Sequence, residues 1–266
     1  MKKHLVVQNN KICYTDTGNG PVIVLLHGYL ESIDIWEGFA TELSKTHQVI
    51  CFDIPGHGNS DILAEKHSMK EISVMIAESL KILGIKKCFM IGHSMGGYVT
   101  LMFHELFREK LSGFSLLHSH PFPDTNETIK KRLREIELVK EGKKDLIAKV
   151  NIPNAFAQEN VKKFTKDIDI ATQIALKTSE KGIIANLHAM MNRPDLSASL
   201  GNSELPFLLI AGKKDTYINF ITMTTQISLP QNSEFCVLEN SGHLGFIEEK
   251  EKTKQSIIAF LNSIKK

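Results

Sequence analysis

KCFMIGHSMGGYVTLMFHEL, residues 87–106, runs from an apolar stretch ending at Ile91, through two small residues flanking Ser94, into a pattern with helical period that starts at Met95. That order predicts a strand, a sharp bend and a helix, with Gly92 and Gly96 letting strand and helix approach while Ser94 projects from a strained turn. Glycines around a serine also occur by chance; the strand-like and helix-like flanks are what give this pentapeptide its meaning.

Working outward, compact apolar runs recur at 22–26 (VIVLL), 48–52 (QVICF), 113–117 (GFSLL), 206–210 (PFLLI) and 234–238 (EFCVL), most without strict polar alternation. Such runs fit parallel strands covered on both faces. Residues 4–8 and 11–15 are shorter β-prone runs, and Asn9 and Asn10 between them suit a tight hairpin at an antiparallel edge. Helical segments separate several strands. The clearest is 68–83, where Ser68 and Glu71 fit a capping box, Ile72, Met75, Ile76, Leu80 and Leu83 repeat at three and four, and Gly84 provides a stop. A closing helix is expected over 247–264, with Ile257, Ile258, Leu261 and Ile264 inward. Strand and helix in alternation predict βαβ units around a mostly parallel sheet flanked by helices, an α/β fold. The alternation breaks after His120. Residues 121–200 hold helix-like pieces, including the charged stretch at 128–145, and read as a helical lid inserted into a core made of 1–120 and 201–266.

A serine hydroxyl is a weak nucleophile and requires a base to take its proton as it attacks. His243, in ENSGHLGFIE after the last apolar run, is the candidate base. Asp215, in IAGKKDTYI after the run at 206–210, is the candidate partner for the other ring nitrogen. The chain order Ser94, Asp215, His243 and the placement of all three after strand ends bring them toward one edge of the sheet. Developing negative charge on an attacked carbonyl calls for preorganised donors. The backbone N–H of Met95, at a helix start, and that of Tyr29, in LLHGYLES, are the candidates. Among other histidines, His93 should point away from its neighbour Ser94, His57 reads as structural or pocket-lining, and His188 as packing or exposed. His118, His120 and Phe122 are candidate substrate contacts, with hinge packing an equal alternative for Phe122.

The chain has 266 residues, 42% apolar and 23% charged, with a formal net charge of +2. Its charges are interspersed, so no field favours nucleic acid or anionic lipid, and a small molecule is the expected partner. The N-terminal MKKHLVVQNNK is too short in apolar residues for a signal-peptide core, and no run approaches a membrane span, so stable membrane insertion is not expected. Cys13, Cys51, Cys88 and Cys236 lack ligand spacing and read as buried thiols of a cytoplasmic protein. No metal cluster or nucleotide-binding glycine fingerprint is evident, so no cofactor is expected.

HGY at 27–29, DIPGHGNSD at 53–61, GHSMGG at 92–97, GKKDTYI at 212–218 and SGHLGFIE at 241–248 together resemble the α/β-hydrolase superfamily, notably its lidded serine esterase and haloperoxidase-like group. The resemblance covers 20–120 and 205–264. It implies an oxyanion segment at 27–29, an acid loop at 212–218 and a histidine loop at 241–248. Thr216, Tyr217 and Ile218 stand where many relatives carry proline, a slight departure. Relatives that open epoxides or displace halide use Asp at the position of Ser94, which sets those reactions aside. The expected activity is hydrolysis of a small to medium carboxylic ester through an acyl-enzyme. The alternatives are a carbon-carbon, thioester or amide hydrolase, a cofactor-free lyase, and a non-catalytic binding protein of the same fold. Apolar residues in the insert, Phe122, Ile152, Phe156, Leu187 and Met190, favour a mainly apolar substrate group. Oligomeric state is not readable from the sequence.

Overall fold

A computed structural model of the chain describes residues 1–225 and 228–264. Its strands are β1 (Lys3–Val7), β2 (Asn10–Thr17), β3 (Val22–Leu26), β4 (Gln48–Phe52), β5 (Cys88–His93), β6 (Leu111–Leu117), β7 (Phe207–Gly212) and β8 (Ser233–Leu238). They form one sheet in the order β1-β2-β4-β3-β5-β6-β7-β8, parallel from β4 onward, with β1 and β2 antiparallel at one edge. The central strands carry continuous apolar runs because both faces are covered: all six residues of β5 and all six of β7 are buried.

The hairpin turn falls one residue earlier than the expected Asn9–Asn10 pair. Gln8 and Asn9 take the left-handed φ values of 49° and 67°, Val7 pairs with Asn10, and Asn10 starts β2. The helices are α1 (Phe39–Leu43), α2 (Met69–Ile82), α3 (Met95–Phe107), α4 (Asn126–Lys140), α5 (Lys144–Ala155), α6 (Thr165–Leu176), α7 (Glu180–Met191), α8 (Ser197–Gly201), α9 (Phe220–Thr225), α10 (Gly245–Glu248) and α11 (Lys250–Ser263). The capping box forms at α2: Glu71 N–H donates to Ser68 Oγ, and the Glu71 carboxylate accepts from Ser68 N–H. Gly84 follows with φ 72°. In the closing helix α11, Ile257, Phe260 and Leu261 are buried, whereas Ile258 and Ile264 pack only at the margin of the core.

Helices α4 to α8 all lie between β6 and β7, where the sequence loses its strand periodicity. α5 contains Pro153 and ends at Ala155. A helix leaves its last carbonyls without internal partners, and here loops of the sheet take them up, as described next. Among the described residues no helix is long and apolar enough to cross a membrane.

Candidate active site

Ser94 stands between β5 and α3 with φ 50° and ψ −115°, a backbone geometry that L-residues other than glycine rarely hold. Between Cys88 and His104 it is the single residue that is not buried. The bend is possible because Gly92, Gly96 and Gly97 around it have no side chain. A Cβ on Gly92 would meet the Gly96 carbonyl and Thr100 Oγ1, one on Gly96 would meet the carbonyls of Leu26 and His27, and one on Gly97 would meet the Ser119 side chain. Polar contacts then hold the strain: Ser94 N–H donates to Leu117 O at 3.0 Å, and Ser119 Oγ donates to Ser94 O at 2.8 Å.

Asp215 and His243 leave the ends of β7 and β8. Asp215 Oδ1 accepts from the Tyr217 and Ile218 amides at 2.8 and 2.9 Å, which fixes the carboxylate in its loop. Its Oδ2 lies 2.8 Å from His243 Nδ1 and 3.4 Å from His118 Nδ1. Burial alone would raise the Asp215 carboxyl, but the charge of His243 and hydrogen bonds from both imidazoles draw it well below the usual carboxylate range. Burial acts to lower His243, yet the charge and hydrogen bond of Asp215 outweigh it, with Glu31 and Glu248 adding, so the ring's pKa is raised. With Nδ1 donating to Asp215, Nε2 is the nitrogen of neutral His243 able to take a proton.

His118, expected as a substrate contact, instead sits behind Asp215. It is fully buried, its Nε2 accepts from Gly245 N–H at 3.1 Å, and burial pushes its pKa down to about 4. The donor atoms of His118, Asp215 and His243 are the one group of three potential metal ligands converging within 4.8 Å among the described residues. All are already engaged with one another or with the main chain, an arrangement that suits proton placement.

The loop after β3 is equally constrained. Gly28 N–H donates to Glu31 Oε2 at 2.5 Å and Leu30 N–H to His57 Nε2 at 3.3 Å, so the Tyr29 amide between them belongs to a fixed segment. His27 Nδ1 donates to Gly28 O while its Nε2 accepts from Ile54 N–H, tying the ends of β3 and β4. His57 is thus structural, and buried beside His27 its pKa lies well below the ordinary value. Met95 is the first residue of α3, whose opening amides lack intrahelical partners.

Ser94, His243, Tyr29, His120 and Phe122 line one cavity of about 710 Å³ between these loops and the α4–α8 insert. Ile152 and Met190 contribute to its wall, whereas Phe156 and Leu187 are buried away from it. The cavity wall is mainly apolar but carries a charged patch. Asp124, Arg132, Glu135 and Arg193 also face it. Asp124 pairs with Arg132 Nε at 2.5 Å and with Arg193 Nη1 at 2.6 Å, and the Arg193 guanidinium lies 3.8 Å from the Tyr98 ring centre. Burial raises the pKa of the Glu135 carboxyl, which accepts from Tyr29 OH at 2.8 Å. His120 is pushed down to about 4 by burial and by Arg193, so it faces the cavity uncharged.

Carbonyls of the last turns of α5 accept from the site's own loops. His243 N–H donates to Ala155 O at 2.6 Å, Thr216 Oγ1 to Asn154 O at 2.8 Å, and Tyr217 OH to Asn151 O at 2.9 Å. Buried Glu248 completes the joint, accepting from Gly242 N–H and Ala157 N–H at 2.8 Å each and from Asn160 Nδ2 at 2.7 Å. Glu31, Ser119, Glu135 and Glu248 were all outside the residues expected from the sequence. Each has at least one partner far along the chain, Glu31 with His93, Ser119 with Ser94, Glu135 with Tyr29 and Glu248 with Ala157, which the sequence does not reveal.

A mostly parallel eight-stranded sheet with a serine on a tight strand-to-helix bend and an Asp–His pair at the neighbouring strand ends defines the α/β-hydrolase class. Residues 21–142 match the family model described as alpha/beta hydrolase fold. A thermophilic esterase from Thermogutta terrifontis, solved with malate bound, superposes with a TM-score of 0.93 at 26% identity, covering 99% of both chains. The 2-hydroxy-6-oxononadienedioate/2-hydroxy-6-oxononatrienedioate hydrolase of Paraburkholderia phymatum is 26% identical over 94% of this chain and 91% of its own. The (E)-2-((N-methylformamido)methylene)succinate hydrolase of Acinetobacter baylyi is 23% identical over 99% of each. This chain carries the α/β-hydrolase fold, and its likeness to these enzymes supports hydrolase activity.

Proposed function

We propose that the chain cleaves a small to medium carboxylic ester through an acyl-enzyme, with Ser94 as nucleophile, His243 as base and Asp215 as its orienting partner. The observation that carries this reading is the 2.8 Å contact between His243 Nδ1 and Asp215 Oδ2 on the wall of the cavity into which strained Ser94 opens. His243 Nε2 takes the Ser94 proton as Oγ adds to the carbonyl; the oxyanion rests against the Tyr29 and Met95 amides; protonated His243 then hands its proton to the departing alkoxide. A water deprotonated by the same ring attacks the acyl carbonyl, and Ser94 leaves with its proton restored. In this reading residues 121–200 form the cap over a core of 1–120 and 201–266, and the charged wall at Asp124, Arg132, Glu135 and Arg193 favours substrates with a polar group opposite the scissile bond.

A second reading, carbon-carbon bond hydrolysis, draws on that same wall together with the Paraburkholderia phymatum relative, whose name describes a dicarboxylate substrate. Turnover of p-nitrophenyl acetate and butyrate against a panel of β-diketones and thioesters separates the two. Labelling by a fluorophosphonate at Ser94, and loss of turnover of about 10⁴-fold or more in Ser94→Ala and His243→Ala with circular dichroism unchanged, are the expected outcomes. Normal turnover by either variant ends the proposal.

A further inference from the structure

Directly beneath His243 lies a second buried pair that the proposed chemistry does not use. His93 Nε2 is 2.9 Å from the main-chain carbonyl of His243, and His93 Nδ1 is 3.0 Å from Glu31 Oε2. A carbonyl can only accept, so Nε2 carries hydrogen, and Nδ1 shares a second proton with the carboxylate. The same Oε2 accepts Gly28 N–H at 2.5 Å. One node therefore joins the oxyanion loop after β3, the bend that presents Ser94 and the histidine loop after β8. His93 is fully buried and Glu31 nearly so, with Trp36 and Phe246 packed around the ring.

We infer that Glu31 and His93 form a charged positioning pair that sets His243 and the Tyr29 amide in register with Ser94. The inference rests on the proposed roles of Ser94 and His243. Burial would raise the Glu31 carboxyl, but the His93 charge and hydrogen bond, with the Gly28 amide, lower it, which favours a negative charge on Glu31 near His243. That charge is among those raising His243. Other titratable groups facing the node are His27 on the same loop, His118 just after β6, Asp215 after β7 and Glu248 behind the histidine loop. Of the charges facing the node, Glu31 is the one that also holds an oxyanion-loop amide.

Glu31→Gln removes the charge while keeping the side chain's size. One oxygen of Glu31 serves both Gly28 N–H and His93 Nδ1, so with a neutral His93 glutamine satisfies one of these contacts and not both, while His93 Nε2 still holds His243. Measured on p-nitrophenyl butyrate, kcat is expected to fall roughly ten- to hundredfold, with KM little changed, because misplacing reacting groups costs rate more than binding. The acid limb of the kcat/KM profile moves to lower pH. Wild-type kcat and an unmoved limb, in an enzyme that Ser94→Ala inactivates, overturn the inference and leave the proposed function intact; activity surviving Ser94→Ala removes that function first. Should Glu31→Gln not fold, ¹⁵N-histidine spectra of the unmutated protein decide. Both ring nitrogens of His93 protonated throughout the active pH range supports the pair, and a neutral His93 tautomer refutes it.

Discussion

Glycine is required around Ser94 for reasons of space that can be tested one position at a time. A Cβ on Gly96 would push into the backbone carbonyls of Leu26 and His27, neither of which is a flexible side-chain end. Gly96→Ala is therefore expected to lower stability by about 1–3 kcal/mol, as overpacking does, and to cost activity as well. Thermal denaturation alongside ester turnover checks both, and an unchanged Tm contradicts the packing described. The imidazole of His243 sets a second expectation. Its pKa is raised by Asp215, so under the proposed mechanism the neutral ring that accepts the Ser94 proton is populated only at higher pH. Activity should rise with an acid limb above the ordinary histidine value of about 6.5, and Asp215→Asn should both depress kcat and lower that limb. At this scale the sequence exposed Ser94, Asp215 and His243 because each follows an apolar run in a fixed chain order. Glu31 and Glu248 were hidden because an isolated glutamate reads as solvated surface; only the fold shows them to be 5% and 8% exposed.

Among the elements, strands were the most legible and the insert the least. β3 and β4 occupy the same residues as the apolar runs that announced them, since a strand buried on both faces leaves an unbroken signal. The hairpin slipped by one residue because Gln8, a poor candidate for left-handed geometry, adopts it when the register of β1 and β2 demands. The insert gave its helical character but not its attachment. Ala155, Asn154 and Asn151 meet the site through backbone carbonyls, which every residue has, so side-chain identity says nothing about them. Glu248 is the side chain on which this joint depends. Glu248→Ala leaves the buried Ala157 and Gly242 amides without an acceptor, at about 1–3 kcal/mol for each. Its predicted phenotype is a lower Tm together with reduced kcat, because His243 shares the joint; a stability loss with full kcat counts against that link.

For the whole molecule, thiol chemistry reports how closed the core is. Cys13, Cys51 and Cys88 are buried, and burial pushes each thiol up to about 12, whereas Cys236 is half-buried beside Ser256 Oγ at 3.1 Å. The four were expected to be alike; position on the outermost strand β8 distinguishes Cys236. A disulfide reagent in native conditions should titrate one thiol, then all four in guanidinium. Rapid reaction of more than one native thiol would mean that the sheet opens. The balance of apolar and polar surface in the cavity also belongs to this scale. It arises from α4, α7 and the segment after β6 converging, and Arg132 and Arg193 reach Asp124 from positions 8 and 69 residues away.

Because the last turn of α5 terminates on the loops that hold Asp215 and His243, the region between β6 and β7 is not an exchangeable module. A chimera grafting another protein's helices onto this sheet must reproduce a helix end whose oxygens fall at the same three points. Without it, the grafted enzyme loses the backbone anchor of His243 even though every side chain of the site is retained.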